Sequence, residues 1–216
     1  MKVLLIDNGT LYKKKMLTLL EEFDVMRVPH EEISLDLLDQ GFDFIVLTGA
    51  YNSNSVKYYG DKIWASEQEL IKKAKIPIIG ICLGAQLIAH SHGASLSFVP
   101  GGKRIKGLKR IWNVTANPFN FFRYYGGEVW SSQKWRITHL PKTLECWCAS
   151  NEGVEVFKHS KKPVYGLQFH PERRANNNDG ARIFFTIVKL ETGFRSEVLK
   201  TVNTDIKVPK LAQASL

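Results

Sequence analysis

The stretch Pro77-Ile78-Ile79-Gly80-Ile81-Cys82-Leu83-Gly84-Ala85-Gln86-Leu87-Ile88 decides the fold of this chain. An apolar strand-like run leads into Gly80-Ile81-Cys82-Leu83-Gly84, and a helical pattern begins at once. That is the nucleophile elbow, Gly-x-nucleophile-x-Gly, with cysteine in the serine position. At so sharp a strand-to-helix turn, side chains at 80 and 84 would collide with neighbouring backbone, which is why both are glycine. A lone cysteine is most simply an inert core residue. Glycines at both −2 and +2 argue against that reading here.

Outward from the elbow, strands and helices alternate. Lys2 to Asp7 reads as a buried strand stopped by Asn8-Gly9, and Leu11 to Phe23 as a helix with apolar residues at 16, 17, 19, 20 and 23. Val25 to Val28 and Phe42 to Leu47 read as strands, the second ending at Thr48-Gly49-Ala50. Residues 51–60 read as a loop. Asp61 to Ala74 reads as a helix with Ile63, Trp64, Leu70, Ile71 and Ala74 on one side, and residues 83–92 as a helix closed by Gly93. This alternation predicts an α/β fold: a three-layer, open, mostly parallel sheet with helices on both faces and added β-hairpins. Ligands in such sheets sit at the carboxyl ends of the strands, where Asp7-Asn8, Thr48-Gly49 and Cys82 all fall.

Beyond residue 94 the texture changes to short β-like runs: Arg110 to Thr115, Gly127 to Trp130, Trp135 to Leu140, Leu144 to Ala149, Val154 to His159 and Val164 to Phe169. They suit hairpins and late strands of the same sheet. Asp179 to Leu190 reads as a last helix. The 216 residues suit one domain, expected over 1–193, with 194–216 as a C-terminal tail lacking periodicity.

The apolar run Val3 to Ile6 is too short for a signal-peptide core, and no stretch approaches the roughly 18 residues of a membrane helix. Three cysteines without framework spacing fit a reducing compartment, so a cytoplasmic location is expected, with no membrane partner. The net charge of +9, spread over clusters such as Lys103 to Arg110, reads most simply as a solvated surface, and such a surface can also steer toward an anionic substrate or an acidic protein partner. Its clusters follow no nucleic-acid-binding module, so nucleic acid is not an expected partner.

A free cysteine is mostly thiol near neutral pH, so a nucleophilic one needs help from its surroundings. At Cys82 the start of a helix favours an anion, and a histidine within reach could hold an ion pair. The Leu83 N–H points to where an oxyanion would form, and Thr48-Gly49-Ala50 is placed to supply a second donor. His170 and Glu172 follow the apolar run Val164 to Phe169 in Gln168-Phe169-His170-Pro171-Glu172. In extended backbone i and i+2 point the same way, so Glu172 can hold one imidazole nitrogen while the other faces the thiol. Pro171 discourages helix and stiffens the pair. Alone, His-Pro-Glu would read as a surface turn; beside the elbow it reads as base and orienter. His30, His90, His92, His139 and His159 have no nearby ligand set, and Cys146 and Cys148 lack a second pair, so neither metal nor cofactor is expected.

These motifs resemble the class I (triad) glutamine amidotransferases, with the nearest pattern in the stand-alone glutaminase subunits of GMP synthase. The resemblance covers residues 2–190. It rests on Leu5-Ile6-Asp7-Asn8-Gly9, Leu47-Thr48-Gly49, the Cys82 elbow with Gln86-Leu87-Ile88, Trp130-x-Ser132, Leu140-Pro141, and Lys162-Pro163-Val164-Tyr165-Gly166-Leu167 running into Gln168-Phe169-His170-Pro171-Glu172. It implies that Cys82 attacks the glutamine side-chain amide, that His170 protonates the departing ammonia and later activates water, and that Glu172 orients His170. It further implies oxyanion amides at Gly49 and Leu83. Gln86 and the backbone around Ser132 would hold the amino-acid end of the substrate, with Ala50 and Gln133 at its mouth.

The chain also departs from the family. Its usual Gly-Gly-Pro is Gly49-Ala50-Tyr51 here, the Glu-Ser-His of GMP synthase relatives is Ser131-Ser132-Gln133, and Arg173-Arg174-Ala175-Asn176 replaces small residues after the His-Pro-Glu. Residues 100–110 are also unlike the GMP synthase pattern. The resemblance implies glutamine hydrolysis through a glutamyl thioester, with ammonia passed to a separate synthetase chain. Two other readings stay open: a free-standing hydrolase or transferase for another γ-glutamyl compound, and a non-catalytic binding module.

Overall fold

Gly80 faces a helix so closely that a Cβ built on it would lie 2.6 Å from the Gly84 carbonyl carbon and 2.7 Å from the Ala85 nitrogen. That contact joins the central strand to the helix it feeds, and the rest of the fold is arranged around it. The structure, a computed structural model, describes residues 1–51, 62–118, 126–174 and 178–200, apart from the side chains of 198 and 200.

Five parallel strands form the centre: β1 (Lys2–Asp7), β2 (Asp24–Pro29), β3 (Phe44–Leu47), β4 (Ile78–Ile81) and β11 (Val164–Leu167), in the order β2-β1-β3-β4-β11. The sheet continues antiparallel through β10 (Gly153–His159), β9 (Leu144–Ser150), β6 (Ile105–Asn113) and β7 (Gly127–Gln133). Off this path, β5 (Ser95–Phe98) pairs with β8 (Trp135–His139), which in turn meets β10.

Alternation along the strands makes two cores. Val3, Leu5, Val46, Ile79 and Ile81 face α1 (Lys13–Leu19) and α4 (Gly180–Thr192), packing on Met16, Leu19, Ile183 and Phe184. Leu4, Ile6, Ile45, Leu47 and Ile78 face α2 (Ala65–Lys73) and α3 (Leu83–Ser91), packing on Leu70, Ile71, Leu87 and Ile88. Continuous burial along β1, β3 and β4 follows from being covered on both sides. The expected three-layer α/β architecture with added antiparallel strands is therefore present.

Several boundaries differ from the sequence expectation. The first helix spans only Lys13–Leu19, and Leu17 on its expected apolar stripe is 41% exposed. The next is shorter too: residues 62–64 form a 3-10 turn, Ala65–Lys73 the helix, and Ile63 lies outside. The run expected at Arg110 to Thr115 is the end of the nine-residue β6, and β5 carried no clear sequence signal. The expected loop at 51–60 lies outside the described residues from 52 onward.

At the C-terminal end Phe194 packs on Phe23 with ring centroids 4.6 Å apart and the rings tilted by 47°, and Ser196 is buried with its hydroxyl donating to Glu22. A short helix, α5 (Glu197–Lys200), follows, and Leu199 packs on the α1–α4 core. Residues 201–216 of the expected tail are outside the described residues. Among the described residues no helix is long and apolar enough to cross a membrane.

Candidate active site

Cys82 caps the N-terminus of α3 with φ 51° and ψ −102°, and among the described residues no other non-glycine has positive φ. Such a backbone costs of order 1–3 kcal/mol and survives only when the surroundings over-determine it. They do so here. The Cys82 N–H donates to the Leu167 carbonyl at 2.8 Å, its own carbonyl accepts from the Gln86 N–H at 3.0 Å, and the Gly84 N–H donates to the Thr48 carbonyl at 3.2 Å. A Cβ on Gly84 would sit 2.5 Å from the Leu47 carbonyl oxygen, so both elbow glycines are required by close backbone approach.

His170 lies just beyond β11, with its N–H bonded to the Trp130 carbonyl at 2.8 Å. Its Nδ1 is 2.8 Å from Glu172 Oε1, and both side chains are buried. The expected His170–Glu172 contact is present, but the backbone is not extended: residues 171–172 form a turn closed by the Arg173 N–H donating to the His170 carbonyl at 3.1 Å, and the turn brings the two side chains together. Burial opposes a charge on the imidazole, but the Glu172 carboxylate and the Cys82 sulfur, which hydrogen-bonds the ring, outweigh it and hold His170 well above its ordinary value. An imidazolium shared between a carboxylate and a sulfur is the arrangement a cysteine nucleophile needs.

Gly49 fills the gap between Cys82 and His170: a Cβ there would meet His170 Cε1 at 3.2 Å and the Cys82 Cβ at 3.3 Å. Leu83 begins α3 directly after the cysteine. The two expected oxyanion residues thus flank Cys82 from separate elements. Ala50 is half-buried and packs on the α2–α3 core.

The remaining expected contacts have side-chain partners of their own. Gln86 Nε2 donates to the Trp135 carbonyl at 3.2 Å and to Gln168 Oε1 at 3.1 Å. Ser132 Oγ accepts from Arg104, and buried Gln133 accepts from Lys109 Nζ at 3.3 Å. Lys109 is also buried, 2.5 Å from Glu155 Oε1, which accepts a further bond from Ser150. Burial pushes the Glu155 carboxyl up, against the pull of Lys109.

Sequence reasoning missed two groups. Gln168 lies two residues before His170 in the bend that follows β11, with its Nε2 4.0 Å from Cys82 Sγ. Its place in the run Gln168-Phe169-His170-Pro171-Glu172 was the available signal. Arg173 lies over the rings of Tyr12, at 5.0 Å, and Trp130, at 4.3 Å, while Tyr12 meets His170 edge-on at 5.0 Å. This stack closes one side of the imidazole, and no local spacing in the sequence announces it.

The profile of the class-I glutamine amidotransferases matches residues 4–190. A glutamine-hydrolyzing GMP synthase subunit from Methanobrevibacter smithii is 39% identical over 113 residues, 50% of this chain and 56% of that protein. The same-named protein of Methanococcoides burtonii is 30% identical over 158 residues, 72% of this chain and 77% of its own. Among solved structures, a candidate GMP synthase subunit from Thermoplasma acidophilum superposes with a TM-score of 0.76 at 27% identity, covering 93% of this chain and 98% of that one. The chain belongs to the class-I glutamine amidotransferase family.

Proposed function

We propose that this chain hydrolyses the side-chain amide of glutamine through a glutamyl thioester on Cys82 and releases ammonia to a separate synthetase partner. The observation that carries the reading is the buried Glu172–His170 pair, closed on Cys82 at a strained elbow. The Cys82 thiolate attacks the amide carbon, and the resulting oxyanion is received by the Gly49 and Leu83 amides. His170 Nε2 gives its proton to the departing ammonia, leaving the thioester. His170 then takes a proton from water as that water attacks the acyl carbon. Cys82 leaves as thiolate, and glutamate departs. Glu172 keeps the imidazole oriented throughout. Ser132, Gln133 and Ala50 form the rim of the glutamine site, and Gln86 acts through Gln168.

A separate synthetase partner is supported by the relatives, whose names make them one subunit of a larger enzyme. The three free cysteines, Cys82, Cys146 and Cys148, fit action in a reducing cytoplasm. A second reading, hydrolysis of another γ-glutamyl amide, is favoured by the rim: Ser132 and Gln133 are tied by Arg104 and Lys109. Steady-state assays against glutamine and a panel of γ-glutamyl conjugates, with and without a candidate synthetase, separate the two. Glutamine turnover that rises with the partner supports the first reading. Preference for a conjugate in the isolated chain overturns it.

A further inference from the structure

Glu67 sits on α2 with its side chain fully buried, on the same stripe as Trp64, Leu70 and Ile71. It accepts a hydrogen bond from Asn8 Nδ2 at 3.1 Å. The same Asn8 nitrogen donates to the Thr48 carbonyl at 3.0 Å, and the Asn8 backbone N–H donates to Thr48 Oγ1 at 2.9 Å. Thr48 Oγ1 in turn donates to the Gly49 carbonyl at 3.0 Å. Because the Gly84 N–H also ends on the Thr48 carbonyl, that oxygen is pinned from two sides. A planar trans peptide places its N–H opposite its C=O. Pinning the Thr48 oxygen therefore fixes the direction of the Gly49 N–H, beside Cys82 and His170.

Two atoms in this chain of bonds lack partners among the described residues: Glu67 Oε2 and Asn8 Oδ1. They belong to residues already joined by one hydrogen bond. A protonated carboxyl makes Oε2 a donor that Asn8 Oδ1, on the residue already bonded to Glu67, could accept, whereas a carboxylate leaves both oxygens as acceptors with no hydrogen to share. Leaving such atoms unpaired in the interior is costly.

We propose that Glu67 is a positioning residue: as a neutral acid, acting through Asn8 and the Thr48 carbonyl, it aims the Gly49 amide at the reacting oxygen. This rests on Gly49 being an oxyanion donor. Burial pushes the Glu67 carboxyl up to about 8, opposed only in part by the Asn8 bond. The ionisable groups on the surrounding elements are Asp7 on β1, which is held by Arg27, His30 against Trp64, Asp36 and Asp39 on a 3-10 turn (Leu35–Asp39) that contacts α2, Lys62 before the helix, Cys82 at the N-cap of α3 and His90 on α3. Ionised Glu67 would set a negative charge behind the oxyanion and break the acid–amide pairing, so the rate should fall as pH rises through its titration.

The test uses the full chain, Glu67→Gln and Glu67→Leu. Gln keeps one acceptor and one donor and cannot ionise. The Gly49 amide resonance of wild type should show a titration step with a midpoint of about 8, and Glu67→Gln should lack that step while keeping any that belongs to the neighbouring His170. With glutamine, Glu67→Leu should lose about tenfold or more in kcat, KM changing little, while Glu67→Gln recovers most of it and lacks the alkaline fall. Alkylation of Cys82 by iodoacetamide, which forms no oxyanion, should change by less than about twofold in either variant. A Gly49 resonance blind to Glu67, or Glu67→Leu at full kcat, overturns the proposal. Coupling of the resonance in a protein that does not hydrolyse glutamine sinks the glutaminase reading and leaves the Glu67–Gly49 link standing.

Discussion

Gln86 on α3 donates its side-chain amide to Gln168 Oε1 at 3.1 Å, and Gln168 turns its own Nε2 toward Cys82 Sγ. α3 thereby holds a donor against the cysteine that caps its N-terminus. If Gln168 steadies the thiolate, Gln168→Leu should lower both Cys82 alkylation and kcat/KM by about tenfold, the scale of one hydrogen bond to a charged group. Pseudo-first-order labelling beside steady-state assays reads both. A fall in kcat/KM with unchanged labelling would make Gln168 a substrate contact instead.

Glu172→Gln should expose the electrostatics of the base. His170 is held above its ordinary value by the carboxylate against burial, so the variant's imidazole should lose its proton at lower pH. The alkaline limb of kcat/KM should move down in pH, with kcat lower throughout. The native state binds the His170 proton more tightly than the unfolded chain does. Its contribution to stability is therefore complete below about pH 6.5 and is lost as pH rises through the folded-state value. Denaturation of the variant across that window should be flatter than that of wild type.

Gly84→Ala would place a Cβ 2.5 Å from the Leu47 carbonyl oxygen. Backbone cannot yield as a flexible side chain can, so the substitution should destabilise by about 1–3 kcal/mol or more and displace Cys82 from the Gly49 amide. Thermal unfolding checks the first effect and loss of turnover in the folded fraction the second. Unchanged activity would mean that the elbow tolerates a wider angle between β4 and α3.

Lys109→Met leaves Glu155 buried beside Ser150 without its cation. A loss of about 3–5 kcal/mol is expected, and the double change with Glu155→Gln should recover part of it. Chemical denaturation of the single and double variants measures this. Additive losses would show that the two groups do not interact across the β6–β10 contact.

The cluster of Cys82, His170 and Glu172 was legible because its constraints are local. Cys82 needs glycines two residues either side, and His170 and Glu172 need only the tight turn that Pro171 starts. The parallel centre was legible for a similar reason: β1, β3 and β4 are unbroken apolar runs between turns. What stayed hidden depends on partners distant in sequence. Lys109 looked like one more surface cation until it met Glu155, 46 residues away. Ser95–Phe98 is too short and mixed to read as a strand until β8 lies beside it. Glu67 did leave a trace, since a carboxylate spaced three residues from both Trp64 and Leu70 lies on the buried stripe of its helix. Its meaning required Asn8 and Thr48, which lie just past the ends of β1 and β3.

The proposed reaction requires Cys82 to carry a glutamyl group during turnover. Intact-mass analysis of acid-quenched protein during glutamine turnover reads that group. One glutamyl adduct mapping to the peptide that holds Cys82 is expected, and Cys82→Ala should abolish both the adduct and ammonia release. Ammonia release by Cys82→Ala, or turnover of wild type with no adduct at any quench time, would contradict the proposed reaction.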